Sequence, residues 1–252
     1  RLLVPLIFQP YAEDLAVRVA AARPQRILEI ACGTGALTQA MAQRLDAASI
    51  VATDLNPAML DLAAERFSDD DRIACRQADA LDLPFADESF DLVACQFGAM
   101  FFPDKPKGYA EARRVLRPGG RFLFNVWDTV AANDFTAVML ETLAELFPVD
   151  PPRFLARTPH GYHDLGTIEL DIMAGGFARP AIERVEKRSR ADSAADVATG
   201  LCQGTPMRGE IEARGTPGLA AATAAVTKAV ERRFGIGPIE GALSAFVVSA
   251  QR

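Results

Sequence analysis

Glu29-Ile30-Ala31-Cys32-Gly33-Thr34-Gly35 stands directly after a short apolar run and directly before a segment of helical period. Glycines at such a junction allow backbone angles that other residues avoid, and they let a ligand approach the main chain closely. The next apolar run ends on an acidic residue, Asp54, and the one after it is followed by Ala78-Asp79-Ala80. A carboxylate placed like Asp54 can accept both hydroxyl hydrogens of a ribose. Asp79 can accept from the exocyclic amino group of a purine. Taken singly, these are a tight turn, an exposed strand-end carboxylate and a loop aspartate. Three such signals after three successive apolar runs point together to a nucleoside-bearing small molecule.

Groups able to move a proton are few. His160 and His163 lie close together in His160-Gly161-Tyr162-His163-Asp164 and are the candidate general bases, with Tyr11 and Tyr109 behind them. The competing reading of the histidines is a solvated loop pair in which Asp164 caps the helix that follows. Cys32, Cys75, Cys95 and Cys202 show no metal-ligand spacing, so no metal site is expected. Three of the four lie in or beside apolar runs, which suits free thiols and a reducing, cytoplasmic setting.

The elements that must position these groups follow from periodicity. Residues 26–31, 49–54, 72–77, 91–96 and 121–127 are short, nearly continuous apolar runs, as expected of strands in a parallel sheet covered on both faces. Between them Leu37, Ala40, Met41 and Leu45 recur at helical spacing. So do Leu60, Ala63, Ala64 and Phe67 behind an Asn56 N-cap and Pro57. Tyr109, Ala112, Val115 and Leu116 form a third stripe that ends at Pro118-Gly119-Gly120. This alternation predicts a doubly wound α/β sheet.

Further along, Phe135 to Leu146 reads as an amphipathic helix, and residues 180–188 and 241–250 as two late strands. The alanine-rich stretch 194–234 reads as two or three helices broken at Gly204-Thr205-Pro206 and Gly215-Thr216-Pro217. The expected organisation is one domain over 1–252. Within it, 1–23 is an N-terminal lid in which Phe8, Gln9 and Tyr11 could meet a ligand, and 24–127 is the cofactor-binding core. Residues 128–175 and 194–234 are substrate-side helical insertions.

With 252 residues, half of them apolar, the chain can bury a large core. No run approaches the roughly 18 apolar residues of a membrane span. A net charge of −6 argues against a nucleic-acid partner, since phosphate backbones call for clustered Lys and Arg. The apolar content of the insertions (Phe135, Met139, Phe147, Phe154, Met173, Met207) suggests a small, partly hydrophobic substrate. A homodimer is compatible with everything above.

ILEIACGTG (27–35), VATDLNPAML (51–60), ADALDLPFADESFDLV (78–93) and EARRVLRPGGRF (111–122) resemble the successive motifs of class I S-adenosylmethionine-dependent methyltransferases. Their order and spacing resemble the small-molecule enzymes of the ubiquinone/menaquinone-biosynthesis type. The resemblance covers residues 27 to about 127. It implies a Rossmann-like seven-stranded sheet in the order 3-2-1-4-5-7-6 with strand 7 antiparallel, and S-adenosyl-L-methionine as cofactor.

On that resemblance the methionyl part falls to Ala31, Cys32, Gly33, Thr34 and Gly35 beside Glu29, and the ribose to Asp54. The adenine falls to Leu55, Asp79, Ala80 and Leu81, with Met59 nearby, and Gln96 faces the methyl-transfer centre. Two departures stand out: Ala31 occupies a place where the family usually has glycine, and Phe101-Phe102-Pro103-Asp104 a place where quinone-type enzymes often carry histidine.

Two other readings remain open at this point. A nicotinamide-dependent dehydrogenase could also use Asp54, but its GxGxxG pattern would require glycine at Thr38. A cofactor-binding protein without methylation activity would carry the same motifs.

Overall fold

The computed structural model describes residues 2–252. A π-helical turn, Val4–Phe8, leads into α1 (Gln9–Ala21). Strand and helix then alternate: β1 (Arg26–Ile30), α2 (Ala36–Ala42), β2 (Ser49–Asp54), α3 (Pro57–Arg66), β3 (Ile73–Gln77), β4 (Phe90–Gln96), α4 (Lys105–Val115) and β5 (Leu116–Trp127). After β5 come α5 (Asp134–Leu146), α6 (Phe154–Arg157), α7 (Leu165–Ala174), β6 (Ala181–Ala191), α8 (Ala194–Gln203), α9 (Met207–Ala213), α10 (Leu219–Phe234) and β7 (Ile239–Gln251). The seven strands hydrogen-bond in the order β3-β2-β1-β4-β5-β7-β6, as the resemblance implies. β1 to β5 pair in parallel. β7 runs antiparallel to β5: Gly119 and Gly120 bond with Arg252, whereas Asp128, just past the end of β5, bonds with Ser244.

Local chemistry accounts for the helix ends. Asn56 accepts from Ala58 N (3.0 Å) ahead of Pro57, and Asp104 accepts from Lys107 N (3.0 Å) ahead of Pro106. Phe101-Phe102-Pro103-Asp104 therefore serves as the entry to α4. Ser193 caps α8 through Asp196 N (3.1 Å). The stretch 194–234 resolves into three helices, parted where the glycine-proline breaks stand.

β5 starts five residues earlier than the apolar run predicts. α4 ends at Val115, ahead of Pro118-Gly119-Gly120, and those residues are already strand: Gly119 N donates to Arg252 O (3.2 Å), and Arg252 N donates to Gly120 O (3.0 Å). The parallel register with β4 slips here, from Phe90 opposite Leu116 to Leu92 opposite Arg121. This bulge absorbs the turn residues without breaking the strand.

The chain divides into two compact units. One comprises residues 11–126, 162–184 and 246–252. It holds β1 to β4, most of β5 and helices α2, α3, α4 and α7. On one face of its sheet Phe122 and Phe124 stack at 4.8 Å, with Tyr109 of α4 at 5.3 Å from Phe124 and Phe177 at 5.9 Å from Phe122. The other unit comprises 1–10, 127–161 and 185–245. Its core is helical: Phe135, Met139 and Leu143 of α5 pack with Val197 and Leu201 of α8 and Val226 and Val230 of α10. The segment 128–175 is thus shared between the units, because α7 packs on α4.

Candidate functional site

The parallel strands β1, β2 and β4 end at Ile30, Asp54 and Gln96, and in an open α/β sheet the crevice beyond such ends is where ligands bind. β1 leaves the sheet through a tight turn. Ala31 has φ 55° and Gly33 φ 56°, and Gly35 has φ 80° as it enters α2. Gly35 N closes the turn on Cys32 O at 2.9 Å. A Cβ at Gly35 would collide with the Phe67 ring, whereas one at Gly33 would meet nothing within 4 Å. The loop is therefore tight at Gly35 and open at Gly33.

Ala31 gives a physical reason for the glycine its place usually holds. A left-handed φ costs an L-residue about 1–2 kcal/mol, and alanine bears it here. Its methyl lies against Gly98, just past β4: a Cβ built on Gly98 would sit 2.5 Å from Ala31 Cβ and 2.8 Å from Cys95 Sγ. The glycine at 98 leaves the room that the methyl at 31 occupies.

Asp54 organises the loop. Its Oδ2 accepts from Gly33 N (2.8 Å) and its Oδ1 from Asn56 N (2.8 Å). Each carboxylate oxygen keeps a second lone pair, so the group is oriented and still able to accept two further hydroxyls. Beneath the loop, Glu29 is buried and accepts from Thr38 Oγ1 (2.5 Å), while Thr53 Oγ1 donates to Glu29 O (2.8 Å). Burial pushes the Glu29 carboxyl up to about 8; the Thr38 hydroxyl opposes the shift and the Asp54 charge adds to it. Thr38, which interrupts the GxGxxG pattern, is therefore the partner of the motif's acid.

Cys32 is buried, and its thiol is pushed well above the ordinary range, first by burial and then by Glu29 and Asp54. It is an apolar wall and not a nucleophile. Thr34 is half-buried in the same turn.

Past Asp54, Leu55 is 63 % exposed and Met59, on the first turn of α3, is 42 % exposed. They offer an apolar surface beside the crevice. Asp79 is exposed, its Oδ1 accepts from Leu81 N (2.9 Å), and Ala80 behind it is buried. Gln96 is half-buried opposite Asn125 of β5. Glu29, the 31–35 turn, Asp54 and its neighbours, Asp79 to Leu81 and Gln96 all belong to one unit.

The two histidines do not form a solvated pair. His160 is buried in the helical unit, with Nδ1 2.7 Å from Asp128 O and its ring 5.8 Å from that of Trp127. A carbonyl only accepts, so Nδ1 carries the hydrogen. His163 belongs to the other unit, half-buried beside Asp164, which caps α7 through Thr167 N (2.8 Å). Tyr11 is fully buried in α1, its ring edge-on to Phe97 at 5.4 Å. Tyr109 is also buried and donates to Tyr162 OH, which donates to Asp171 Oδ2 (2.8 Å). That chain of bonds ties α4 to α7 and is structural. Asn125, a lone amide in the apolar run RFLFNVW, is a further polar signal legible in the sequence.

Among the described residues no cluster of three or more His, Cys, Asp or Glu is disposed to hold a metal, and the four cysteines are free. No helix among them is long and apolar enough to cross a membrane.

Comparison with known proteins agrees with this geometry. A family model described as a methyltransferase domain matches residues 28–124. A demethylmenaquinone methyltransferase of Clavibacter sepedonicus is 41 % identical over 111 residues, 44 % of this chain and 44 % of the relative. A ubiquinone/menaquinone biosynthesis C-methyltransferase of Teredinibacter turnerae is 38 % identical over 181 residues, 66 % of this chain and 73 % of the relative. The chain belongs to the class I S-adenosylmethionine-dependent methyltransferase family.

In four of the demethylmenaquinone methyltransferases the match spans about half of the relative's length. Across nearly the whole fold, the YcgJ protein of Bacillus subtilis superposes with a TM-score of 0.60 at 20 % identity, covering 96 % of this chain and 98 % of that one. Family membership removes the motive for the nicotinamide reading.

Proposed function

We propose that this chain is an S-adenosyl-L-methionine-dependent methyltransferase acting on a small, partly apolar acceptor. The observation that carries this reading is Asp54, held at the end of β2 by Gly33 N and Asn56 N with acceptor capacity left over. The donor set suits the cofactor: the open side of Gly33 leaves room at the main chain, Asp54 meets a ribose, and exposed Leu55 and Met59 meet a purine face. Asp79 supplies an acceptor at the purine edge. When bound, the cofactor supplies an electrophilic methyl on a sulfonium.

The protein's own contribution is then alignment. The turn from Ala31 to Gly35 is fixed by Asp54 and by the Gly35–Phe67 contact, and Gln96 stands at the exit of β4. Holding two reactants in line is worth up to about 7–11 kcal/mol in favourable cases. A general base is required only if the acceptor is protonated at neutral pH.

The relatives are named for quinone substrates, and a quinol-like ring is one acceptor within this reading. Phe101 to Asp104, which lead into α4 without the usual histidine, weaken an assignment of the same acceptor. The free thiols are compatible with work in the reducing cytoplasm.

Titration calorimetry with S-adenosyl-L-methionine tests the first claim. Native protein should bind, and Asp54→Ala should bind at least about tenfold more weakly, since hydrogen bonds to a charged group are worth roughly 1.5–3 kcal/mol. Equal binding by the two proteins, or none by the native chain, sinks the reading. Release of S-adenosylhomocysteine over quinol, phenol, carboxylate, amine and carbon-acid acceptors then names the substrate class.

A further inference from the structure

Asn125 lies on β5 opposite Gln96 and is fully buried. Its Oδ1 accepts from Phe97 N at 2.9 Å, and its own main-chain oxygen takes a longer share of the same hydrogen at 3.2 Å. The Phe97 N–H can meet only the amide oxygen, so the amide's orientation is fixed. Nδ2 then has no hydrogen-bond partner among the described residues. A buried donor left without a partner destabilises the fold. Leucine branches at the same atom and would remove that cost along with the acceptor. The acceptor on Phe97 is therefore what the amide contributes.

Phe97 is where β4 leaves the sheet. It takes φ 52°, a left-handed angle that a phenylalanine rarely adopts. The side-chain bond from Asn125 holds it there. The turn it makes brings the main chain of Gly98 against the methyl of Ala31, itself left-handed at φ 55°. One buried amide thus stands behind two strained residues, one at the exit of β4 and one at the start of the Ala31–Gly35 turn.

We infer that Asn125 is a positioning residue: by fixing Phe97 and Gly98 it braces the Ala31 corner of the cofactor turn and so sets cofactor affinity. The inference rests on the proposed function for its ligand, and on the apo protein for its geometry.

Asn125→Leu and Asn125→Asp, compared with the native chain, test it by three measurements. These are calorimetry with S-adenosylhomocysteine, the urea midpoint, and amide hydrogen exchange at Phe97 and Gly98. Losing one buried hydrogen bond of about 1–1.5 kcal/mol corresponds to about tenfold. The leucine variant should bind about tenfold more weakly and exchange about tenfold faster at Phe97, with a urea midpoint no lower than native. The aspartate variant keeps the acceptor and should restore affinity and protection. Asn125→Ala, which cannot overpack the site, should show the same loss of affinity as leucine.

Native affinity in the leucine and alanine variants overturns the inference. So does a fall in affinity matched by a fall in urea midpoint and not rescued by aspartate, which would mark a purely structural amide. If the native chain does not bind the ligand, the proposed function fails on its own. The brace is then decided by exchange at Phe97, and unchanged exchange in the leucine variant overturns it.

Discussion

Two polar clusters in this molecule are built from the same kinds of group and spend them differently. At Asp128, in the helical unit, the bonding is closed. Its carboxylate accepts from Thr129 N (2.7 Å) and Ser244 Oγ (2.8 Å), its carbonyl takes His160 Nδ1 (2.7 Å), and its N–H donates to Ser244 O (3.1 Å). Asn133 completes the ring, accepting from Ser244 N (3.1 Å) and donating to Thr129 O (2.9 Å). At Asp54, in the sheet unit, the carboxylate is half-exposed and only oriented by two main-chain N–H groups. Left-handed Ala31, Gly33 and Phe97 crowd around the same strand ends. Where bonding capacity is spent internally the cluster stabilises the fold. Where it is left over, at a place that also bears backbone strain, it stays available to a ligand.

The largest expected effect that could break this contrast is on the closed cluster. Asp128→Ala leaves buried Ser244 Oγ and part-buried Thr129 N without their acceptor. Unfolding stability should fall by about 2–4 kcal/mol, read from urea denaturation. Asp54→Ala should fall by well under half of that, because water can replace a half-exposed acceptor. If the two substitutions cost the same, the distinction between closed and open clusters does not hold.

A smaller effect sharpens the account of the open region through pH. Glu29's carboxyl is raised by burial from 4.5 to about 8, with Thr38 opposing and Asp54 adding. Between those values the native protein keeps a proton that the unfolded chain has released. The stabilisation is therefore complete below about pH 4.5 and is lost as pH rises through about 8. Glu29→Gln keeps a neutral group able to accept from Thr38. From about pH 5 to about pH 8 the native chain should lose on the order of 3 kcal/mol relative to this variant. Urea midpoints that run parallel across that range would show that the Glu29 proton is not retained.

Much of the sheet was legible because buried parallel strands are written as continuous apolar runs, and because Asn56 with Pro57 spells a helix start. The carboxyl-edge residues were legible for the same reason: the strand ends were, and Glu29, Asp54 and Asp79 stand at or just past them. What stayed hidden depends on partners distant in sequence. Pro118-Gly119-Gly120 reads as a helix stop. Its second role, as strand, needs Arg252 from the far end of the chain. His160 reads as solvated beside His163, because nothing local tells of Asp128. Ala31 reads as a tolerated methyl, since its compensating glycine lies at 98. The division into units that interleave in sequence is hidden likewise, since each is assembled from three separate stretches.

The smallest effect is also the most direct test of the Ala31–Gly98 contact. Ala31→Gly relieves a left-handed alanine and should raise stability by about 0.5–1 kcal/mol, offset in part by the freer unfolded chain. Gly98→Ala places a methyl 2.5 Å from Ala31 Cβ and 2.8 Å from Cys95 Sγ, so that the strand exit must shift; it should destabilise by about 1–2 kcal/mol. In the double variant the first clash is gone and the second remains. The two changes should therefore couple favourably, by about 0.5–1 kcal/mol beyond additivity in a urea-denaturation cycle. Simple additivity would mean that the two backbones do not constrain each other. With coupling, the methyl at 31 and the missing one at 98 are a single packing choice, and the turn's departure from glycine is compensated at the exit of the neighbouring strand.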